Sequence, residues 1–571
     1  FIVIPLKKHL VGYNSNTFLQ DAVAGLVVGM VTIPQAIAYA LLAGVPAQAG
    51  LYACLLPMIL YALLGSSKHL VVGPVAIAAV MIVSTVSEFA PKYSAEYLSI
   101  TQAVCIEVAV IFVILRLARL GSLTNLVSHP VLTGFVNGAV LLIIISQIPA
   151  LIGTDNSSSL SAIDLLQILT AQDNQFDWIS LFLGLAAISF LIVYRWVLTK
   201  EDENPRQTKS FGAPLLVGLG PAILISSAIF FVYYIGDLKS LSTVGQIPQG
   251  LPTFLLPEID SQLWISIFPS SFIIALVIYV ESFSIATTLA SREKMTIDAQ
   301  QELIALSAAN FGAGMTGAYP VAGSFSRSSV NYFSNARTPI SSLICAVVIV
   351  VSLLFFNELF GLMPLTILAA IVIVSAIGLL DLPVMFENWN THKLDTISGL
   401  ATLVTVLLIG IEVGLILGIL LSIAFFLKQV SDPSITVVGW LPGTEELRSQ
   451  ERYEVETHPN LMFVRIDENI FFGNANNLEI KMIEFANSKK SISQFVVVCS
   501  SVNRIDTSGL AMFSRLSERL KGVNITLNLS DLKGSLEKNL DLKDLENGIS
   551  GKIFRTAKET MAQLIEETNH R

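Results

Sequence analysis

Long apolar segments with almost no charge recur through most of this chain, and they restrict its fold more than any other feature. A backbone in lipid must satisfy its polar groups internally, so segments of this kind cross a membrane as helices. Of the 571 residues, 53% are hydrophobic and 13% are charged, about half the charged fraction of an ordinary soluble protein. The sequence therefore predicts an α-helical, polytopic protein of the lipid bilayer.

The apolar segments end near residue 433, where the composition changes. Residues 1–433 hold 17 of the 34 Lys and Arg residues, and the remaining 138 residues hold the other 17. This shift predicts a transmembrane domain over 1–433 and a soluble domain over 434–571. Several of the apolar segments are shorter than the ~20 residues of a full crossing. We count fourteen segments, at about 21–43, 50–64, 74–86, 98–115, 131–152, 178–198, 213–235, 264–290, 299–314, 324–334, 338–356, 362–380, 395–410 and 412–428.

The basic residues between these segments predict the orientation of the chain. With the N-terminus in the cytoplasm and alternating crossings, fourteen Lys and Arg residues fall on the inside and two, Lys92 and Lys239, on the outside. Positive charge collects on the cytoplasmic side of membrane proteins. We therefore expect a cytoplasmic N-terminus and C-terminal domain in a cell membrane, inner or plasma. The inside residues are Lys7, Lys8, Lys68, Arg116, Arg119, Arg195, Lys200, Arg206, Lys209, Arg292, Lys294, Arg337, Lys393 and Lys428.

The stretch from Gly317 to Asn331 is too polar for a helix that faces lipid. It contains Pro320, Gly323 and a full positive charge at Arg327. A cation in hydrocarbon costs at least a few kcal/mol, so an Arg inside the membrane marks a functional site. The stretch predicts a broken helix that resumes near Ser324 and directs its N-terminal N–H groups toward an anion.

A second break of the same kind lies at Gly73-Pro74, ahead of a short apolar helix. The two breaks fall in the third segment of the first seven and in the third segment of the second seven. An odd number of crossings inverts the second half relative to the first, and paired breaks in inverted repeats indicate a transport site at the midplane. Each helix N-terminus carries roughly half a positive charge. The first segment also holds Pro34, which we expect to interrupt it.

Three motifs resemble the sulfate permease (SulP) family: Ile33-Pro-Gln-Ala-Ile-Ala-Tyr-Ala40, Gly65-Ser-Ser-Lys-His with Val72-Gly-Pro-Val-Ala76, and Gly323-Ser-Phe-Ser-Arg-Ser-Ser-Val-Asn331. The resemblance covers essentially the whole chain. It implies a 7+7 inverted repeat of fourteen segments, divided into a core and a gate domain, usually in a homodimer. It also implies transport by an elevator-like movement of the core.

Carried onto this sequence, the resemblance implies an anion pocket between the two breaks. Some relatives carry an aromatic residue where Val75 stands and several carry Phe where Tyr39 stands, so the size and polarity of the pocket differ from theirs. The residues implied to bind the anion are Gln35, Tyr39, Pro74, Val75, Phe325, Ser326 and Arg327.

Glu281, in the eighth segment, is the expected partner of Arg327. A carboxyl group in an apolar stretch favours its neutral form unless a cation stabilises the charge. Glu281 can then take up a proton on one side of the membrane and release it on the other. The resemblance to proton-coupled plant sulfate transporters, which have Glu here, favours this role. The alternative is a fixed countercharge to Arg327, which would make Arg327 a structural residue.

Other polar residues of the membrane region have simpler interpretations. We assign Glu107 to a contact between helices and Glu412 to a structural role at an outside turn. The four cysteines are scattered, with no spacing typical of a metal site or a disulfide framework. No cleavable signal pattern is present. Because the chain begins at Phe1 rather than Met, we expect a native N-terminus that precedes it.

The region after Ile435 is predicted to be an α/β domain. Strands are expected at 461–466, 494–499 and 523–528, and amphipathic helices at 473–489, 508–521 and 553–567. Asp506 is the expected N-cap of the second helix. The segment Ile505-Asp-Thr-Ser-Gly-Leu510 resembles the signature of STAS domains, which implies a regulatory phosphorylation site at Ser508 as the alternative to a plain cap and turn.

These observations predict a secondary active transporter rather than an enzyme, without a cofactor, a metal or a nucleic-acid partner. The leading function is symport of sulfate, a small inorganic anion, with protons. A bicarbonate or dicarboxylate carrier, driven by sodium or by exchange, is the alternative within transport. The alternatives outside it are a channel and a nontransporting anion sensor that signals through the STAS domain.

Overall fold

The structure is a computed structural model that describes residues 5–121, 128–154, 177–199, 213–235, 241–387, 393–489, 491–534, 536 and 542–569. The chain forms two compact units, Phe1–Ser422 and Ile423–Arg571. The helix Ile411–Ser431 runs through the division between them, and the next strand begins at Ile435. Four basic residues used for the orientation, Lys200, Arg206, Lys209 and Lys239, lie outside the described residues.

The first unit is helical, with one two-stranded sheet. Every one of the fourteen predicted segments contains a helix, so the prediction from the apolar segments is confirmed. Seven of the described spans are long and apolar enough to cross a membrane, and two of them, Ala47–Leu64 and Leu365–Glu387, each combine two neighbouring helices. The helices are α1 (Leu6–His9), α2 (Ser15–Leu42), α3 (Ala47–Tyr52), α4 (Leu56–Leu64), α5 (Ala76–Val86), α6 (Ala95–Leu117), α7 (His129–Leu151), α8 (Trp178–Thr199), α9 (Ala213–Ile235), α10 (Ser261–Arg292), α11 (Ala299–Met315), α12 (Phe325–Phe333), α13 (Ile340–Phe355), α14 (Asn357–Gly361), α15 (Leu365–Ile377), α16 (Leu382–Glu387), α17 (Lys393–Leu408) and α18 (Ile411–Ser431).

The expected interruption at Pro34 is wrong. Helix α2 continues from Ser15 to Leu42 with Pro34 inside it. Proline removes one backbone donor, but membrane helices tolerate that loss when neighbouring groups compensate for it. The second predicted segment is the one that divides, into α3 and α4, with Pro57 at the start of α4.

Two groups of helices can be distinguished within this unit by their packing. In the first, which we call the core group, α11 packs on α6 and α4, α13 packs on α2, and α10 packs on α6. In the second, the gate group, α7 packs on α15 and α17, and α15 packs on α8. Gly134 of α7 faces the backbone of Gly399 of α17, so close that a Cβ at Gly134 would overlap the Gly399 carbonyl oxygen. The two groups agree with the 7+7 arrangement of a core and a gate domain.

The two-stranded sheet links the two halves of the core group. Strand β1 (Val72–Gly73) pairs antiparallel with β2 (Ala322–Gly323), with Val72 opposite Gly323 and Gly73 opposite Ala322. Helix α5 follows β1 and helix α12 follows β2 within three residues. The antiparallel pairing therefore directs the N-termini of α5 and α12 toward each other.

The second unit is an α/β domain with a six-stranded sheet in the order β4-β3-β5-β6-β7-β8. Strands β3, β4 and β5 pair antiparallel, and β5 to β8 pair parallel. Its elements are β3 (Ile435–Trp440), β4 (Leu447–Ser449), β5 (Leu461–Ile466), α19 (Ala475–Ser488), β6 (Gln494–Val498), α20 (Thr507–Lys521), β7 (Thr526–Ser530), α21 (Leu542–Gly548), β8 (Ile553–Phe554) and α22 (Ala557–Asn569).

Two predictions for this unit need correction, and one is confirmed. The strand expected at 523–528 starts only at Thr526, because Asn524 takes the left-handed conformation, with φ of 61°, and prolongs the turn. Ile553 forms the short edge strand β8 rather than the start of the last helix, which begins at Ala557. Asp506 caps α20 as expected, and its carboxylate accepts the Gly509 N–H.

Candidate functional site

The β1–β2 pair is held by side chains as well as by backbone. The Ser324 N–H donates to the Val71 carbonyl at 3.1 Å, and the Ser328 hydroxyl accepts the Val71 N–H at 2.9 Å. The hydroxyl of Ser282, on α10, accepts the Gly323 N–H at 2.8 Å. These bonds fix the start of α12 relative to both β1 and α10.

The N-termini of α5 and α12 have no side-chain caps. Val75 is the N-cap of α5 and cannot accept a hydrogen bond through its side chain. Ser324 is the N-cap of α12, and its hydroxyl bonds to no N–H group of the helix. Free N–H groups at a helix N-terminus, together with the helix dipole, form an anion-binding site. Two such ends meet here, each with roughly half a positive charge.

Arg327 lies between the two half-helices and is completely buried. Its Nη2 donates to the Pro74 carbonyl at 2.7 Å, across the β1–β2 pair. The guanidinium lies close to Gly73, because a Cβ on that residue would be in contact with the same Nη2 at 3.4 Å. The Nε and Nη1 atoms have no hydrogen-bond partner among the described residues. The guanidinium thus keeps two donors and a full charge available at the junction.

Glu281 does not form the expected ion pair with Arg327. No hydrogen bond or ion pair joins the two side chains, although both are described, and the Glu281 Oε2 atom is buried without a partner there. The two groups still interact electrostatically through the core. The reason lies in the packing: Ser282 is directed at the β2 backbone, which leaves its neighbour Glu281 facing a cavity.

That cavity has a volume of about 170 Å³ and lies between the core and gate groups. Glu281 and Ser284 are its polar lining residues, and Phe325 of α12 also lines it. Apolar walls raise the cost of charge inside the cavity, so a carboxylate there needs a proton or a cation. The remaining lining residues are Ile77, Leu132, Phe135, Val136, Leu276, Val277, Val280, Ile285, Leu379 and Leu415.

The other residues implied to bind an anion surround this junction. Tyr39 is 7% exposed and interacts electrostatically with both Arg327 and Glu281. Gln35 is buried on the same helix, and its Nε2 donates to the Ser375 hydroxyl of α15 at 3.4 Å. Ser326 is half-buried in the first turn of α12. Pro74, Val75 and Arg327 lie at the junction, while Phe325 and Glu281 line the cavity.

Sequence reasoning missed the polar residues that hold the junction in place. Besides Ser282 and Ser328, the side chain of Asn310 bonds to the backbone of Val321, accepting its N–H at 2.9 Å and donating to its carbonyl at 3.1 Å. Asn331 donates to the His69 carbonyl at 3.2 Å. A buried polar residue in an apolar segment is a signal available from sequence, but its partner is not.

The loop Gly65–His69 anchors the approach to β1 through two carboxylates. Glu302 accepts hydrogen bonds from the Tyr61 hydroxyl at 2.7 Å and from the Ser66 N–H at 2.8 Å. Glu293, just beyond the end of α10, bonds to Lys68 and His69 at 3.0 Å each. Burial opposes the charged form of Glu293, but Lys68 and His69 outweigh it and hold the pKa of Glu293 below its ordinary value.

Three further residues singled out in the sequence lie away from the junction. Glu107 is buried on α6, and its Oε2 has no partner among the described residues. Glu412 bonds to two other helices. Ser508 is half-buried in the first turn of α20, beside the N-cap Asp506. The described residues contain no group of His, Cys, Asp and Glu side chains suited to a metal ion.

Family models match both parts of the chain. The model of the Sulfate permease family matches residues 18–402, and that of the STAS domain matches residues 452–560. The chain belongs to the sulfate permease family. This family consists of transporters and not enzymes.

Plant members of the sulfate permease family are similar over most of their length. Sulfate transporter 4.1, chloroplastic, of Arabidopsis thaliana is 33% identical over 528 residues, which cover 90% of this chain and 76% of the relative. High affinity sulfate transporter 2 of Stylosanthes hamata is 28% identical over 582 residues, which cover 98% of this chain and 86% of the relative.

Solved structures share the fold at lower identity. The structure of SLC26A9 superposes with a TM-score of 0.87 at 19% identity and covers 100% of this chain and 93% of its own. The transmembrane domain of the cyanobacterial bicarbonate transporter BicA superposes with a TM-score of 0.59 at 20% identity and covers 71% of this chain and 98% of its own. These matches confirm the expected fold, a helical membrane region followed by a STAS domain.

Proposed function

We propose that this chain is a secondary active transporter of an inorganic oxyanion, with sulfate as the leading substrate and protons as the coupling ion. The observation that carries the proposal is the junction of α5 and α12, where two uncapped helix N-termini meet beside the buried guanidinium of Arg327. The plant relatives are called sulfate transporters, which supports this substrate over other oxyanions.

The junction offers the interactions that a dehydrated oxyanion needs. Backbone N–H groups from two half-helices can donate to separate oxygen atoms, and a tetrahedral anion presents oxygens in several directions. Two helix dipoles together contribute about one positive charge, and Arg327 contributes another. A site with about two positive charges suits a dianion. The free Nε and Nη1 donors of Arg327 add charge-assisted hydrogen bonds or act through the intervening backbone.

Glu281 couples the transport of a proton to the transport of the anion. A dianion that enters a negative-inside cell is opposed by roughly 2.3 kcal/mol per charge for each 100 mV. One proton carried on Glu281 cancels half of that cost. Each unit of pH difference across the membrane adds about 1.4 kcal/mol of driving force per proton. Glu281 suits the task because it faces the cavity in apolar surroundings and has no ion-pair partner among the described residues. Its neutral form is therefore the one that crosses most easily.

Alternating access is proposed to follow from movement of the core group against the gate group, in the manner of an elevator. Both half-helices and Glu281 belong to the core group, so the anion and the proton would travel together. We further propose a homodimer in a cell membrane, inner or plasma, with the N-terminus and the STAS domain in the cytoplasm. Ser508 remains a proposed phosphorylation site of that domain.

Uptake by purified protein in liposomes tests the proposal. Labelled sulfate is supplied outside, with and without an inward proton gradient, and in competition with bicarbonate, oxalate, fumarate and chloride. We expect an inward proton gradient to accelerate sulfate uptake, and we expect sodium to have no such effect.

The outcomes separate the alternatives. Sodium-dependent uptake of bicarbonate or a dicarboxylate, or strict exchange, would replace sulfate symport by the alternative carrier. Anion binding without any movement would favour the sensor, and a large unitary current would favour a channel.

A further inference from the structure

Glu412 joins three helices through its two carboxylate oxygens. It lies in the first turn of α18. Its Oε1 accepts the hydroxyl of Thr85, at the end of α5, at 3.0 Å. Its Oε2 accepts the hydroxyl of Ser270, on α10, at 3.2 Å. The sequence interpretation of Glu412 as a residue of its own turn therefore misses these two long-range bonds.

Glu412 belongs to one of the two groups of helices, and its two donors belong to the other. Gly414 and Gly418 of α18 pack against Val406 and Thr402 of α17, so close that a Cβ on either glycine would overlap them. Helix α17 packs on α7, which places Glu412 in the gate group. Thr85 and Ser270 belong to the core group, because β1–β2 and Ser282 tie α5 and α10 to α12.

Glu412 lies beyond one end of the cavity that holds Glu281. The helices that it joins also line that cavity, through Ile77 of α5, Leu276 of α10 and Leu415 of α18. Leu415 is one turn further into α18 than Glu412. The positive-inside orientation places the C-terminal end of α5, the N-terminal end of α18 and the N-terminal part of α10 toward the outside. The bridge therefore lies on the outer side of the cavity.

The opposite end of the cavity approaches the inner surface. Leu132 lies in the first turn of α7, and Leu379 lies just beyond the last residue of α15. Both of these helix ends are assigned to the cytoplasmic side by the same orientation. With this orientation the cavity is directed inward, and core-to-gate hydrogen bonds join the two groups on its outer side.

We propose that Glu412 is a positioning residue of the transport cycle that holds the outer end of the pathway closed. Its carboxylate stabilises the inward-facing arrangement by binding Thr85 and Ser270. Movement of the core group toward the outside must break both hydrogen bonds, because their donors and their acceptor lie on different groups. Glu412 does not contact the anion junction and sets the balance between the two arrangements. The inference rests on the proposed transport function.

Thiol labelling of a cysteine introduced into the cavity tests this role without any transport measurement. The reporter is Leu276→Cys in the full chain. The four native cysteines are all buried, and the chain without the reporter measures any labelling that they contribute. A membrane-impermeant maleimide is applied from the outside or from the inside to oriented vesicles. Glu412→Leu is combined with the reporter, and Thr85→Val with Ser270→Ala removes the same two bonds from the other side.

We expect about a tenfold faster outside labelling in Glu412→Leu and in the hydroxyl-deletion pair, together with slower inside labelling. Hydrogen bonds to a charged group have the strength for a shift of this size. Glu358→Gln is the matched control, an exposed carboxylate on α14 near the same surface, and should leave both rates unchanged.

Unchanged labelling in both variants would overturn the proposal, and so would equal increases from both sides, which would indicate general loosening. Should Glu412→Leu fail to fold, the hydroxyl-deletion pair decides alone. This outcome can be told apart from that of the proposed function. If the variants change the labelling rates but the protein moves no sulfate, the outer closure stands and the cargo is another anion. If the protein takes up sulfate normally but the variants leave the labelling rates unchanged, only the closure is removed.

Discussion

At the scale of single residues, the site depends on two ionisable side chains of opposite charge that do not pair, the buried Arg327 and the partly buried Glu281. Arg327 bonds to the Pro74 carbonyl and keeps two donors free, and Glu281 faces the cavity with an unbonded oxygen. An unpaired charge in the interior costs several kcal/mol unless something compensates for it. A fixed ion pair between Arg327 and Glu281 would offset this cost but would leave neither charge available to a ligand. In the proposed mechanism, the separation of the two side chains leaves Arg327 available to an anion and Glu281 available to a proton.

The first prediction concerns Arg327. Arg327→Ala removes a whole charge from the junction, and we expect initial sulfate uptake to fall by at least about tenfold, the effect of losing a charge-assisted hydrogen bond. Arg327→Lys keeps the charge but loses the planar fork, so it should retain more uptake than the alanine variant. Size-exclusion profiles in detergent establish that each variant is folded. Full uptake by Arg327→Ala would remove the residue from the site.

The second prediction concerns the proton. Glu281→Gln keeps the shape of the side chain but cannot change charge, so sulfate uptake should lose its acceleration by an inward proton gradient. Exchange of internal for external sulfate needs no net proton movement and should persist. Glu281→Asp, which still titrates, should keep part of the acceleration. A Glu281→Gln protein with an unaltered response to the gradient would show that another group carries the proton.

At the scale of elements, the β1–β2 pair decides where two helices begin. Each strand has only two residues, too few to be stable alone. Side chains from α10, α11 and α12 supply the missing bonds, through Ser282, Asn310 and Ser328. The uncapped N-termini of α5 and α12 are thus held in position by side chains that bond to the backbone of the two strands and their flanking residues.

The third prediction follows from that support. Ser282→Ala leaves the buried Gly323 N–H without an acceptor, which costs about 1–3 kcal/mol. We expect a lower melting temperature and an apparent sulfate affinity weakened about tenfold. Ser291→Ala is the control on the same helix, because its hydroxyl donates to the Thr288 carbonyl in an exposed turn. Equal behaviour of the two variants in sulfate binding would contradict the positioning role of Ser282.

At the scale of the whole molecule, the chain combines a helical membrane unit with an α/β unit that has its own core. In the second unit the inner strands β5, β6 and β7 are nearly all buried. Cys499 follows β6 and is completely buried. Burial raises the pKa of the Cys499 thiol to about 12, and the nearby Asp531 carboxylate adds to the shift.

The fourth prediction uses that shift. An unfolded cysteine ionises near pH 8.5, so above that pH the unfolded chain binds fewer protons than the folded one. The free energy of unfolding of this unit should therefore fall as the pH rises from about 8.5 toward 12. Cys499→Ala should flatten that decline.

Iodoacetamide labelling of the full chain, followed by mass spectrometry of the Cys499 peptide, gives an independent measure. The native protein should label slowly at mildly alkaline pH, and the protein in denaturant should label fast. Rapid labelling of native Cys499 would contradict its burial as a neutral thiol.

The sequence by itself determined the membrane class, the fourteen helical segments and the two breaks, because hydrophobic runs and Gly-Pro interruptions are local properties. The Arg327 charge likewise indicated a site, because a cation within an apolar region is visible in the sequence alone. Only the tertiary structure decided which groups meet. It separated Arg327 from Glu281, directed Ser282 at the Gly323 N–H and joined Glu412 to Thr85 and Ser270. Hydrogen bonds between residues 41 to 327 positions apart depend on how helices pack, and no local pattern carries that information.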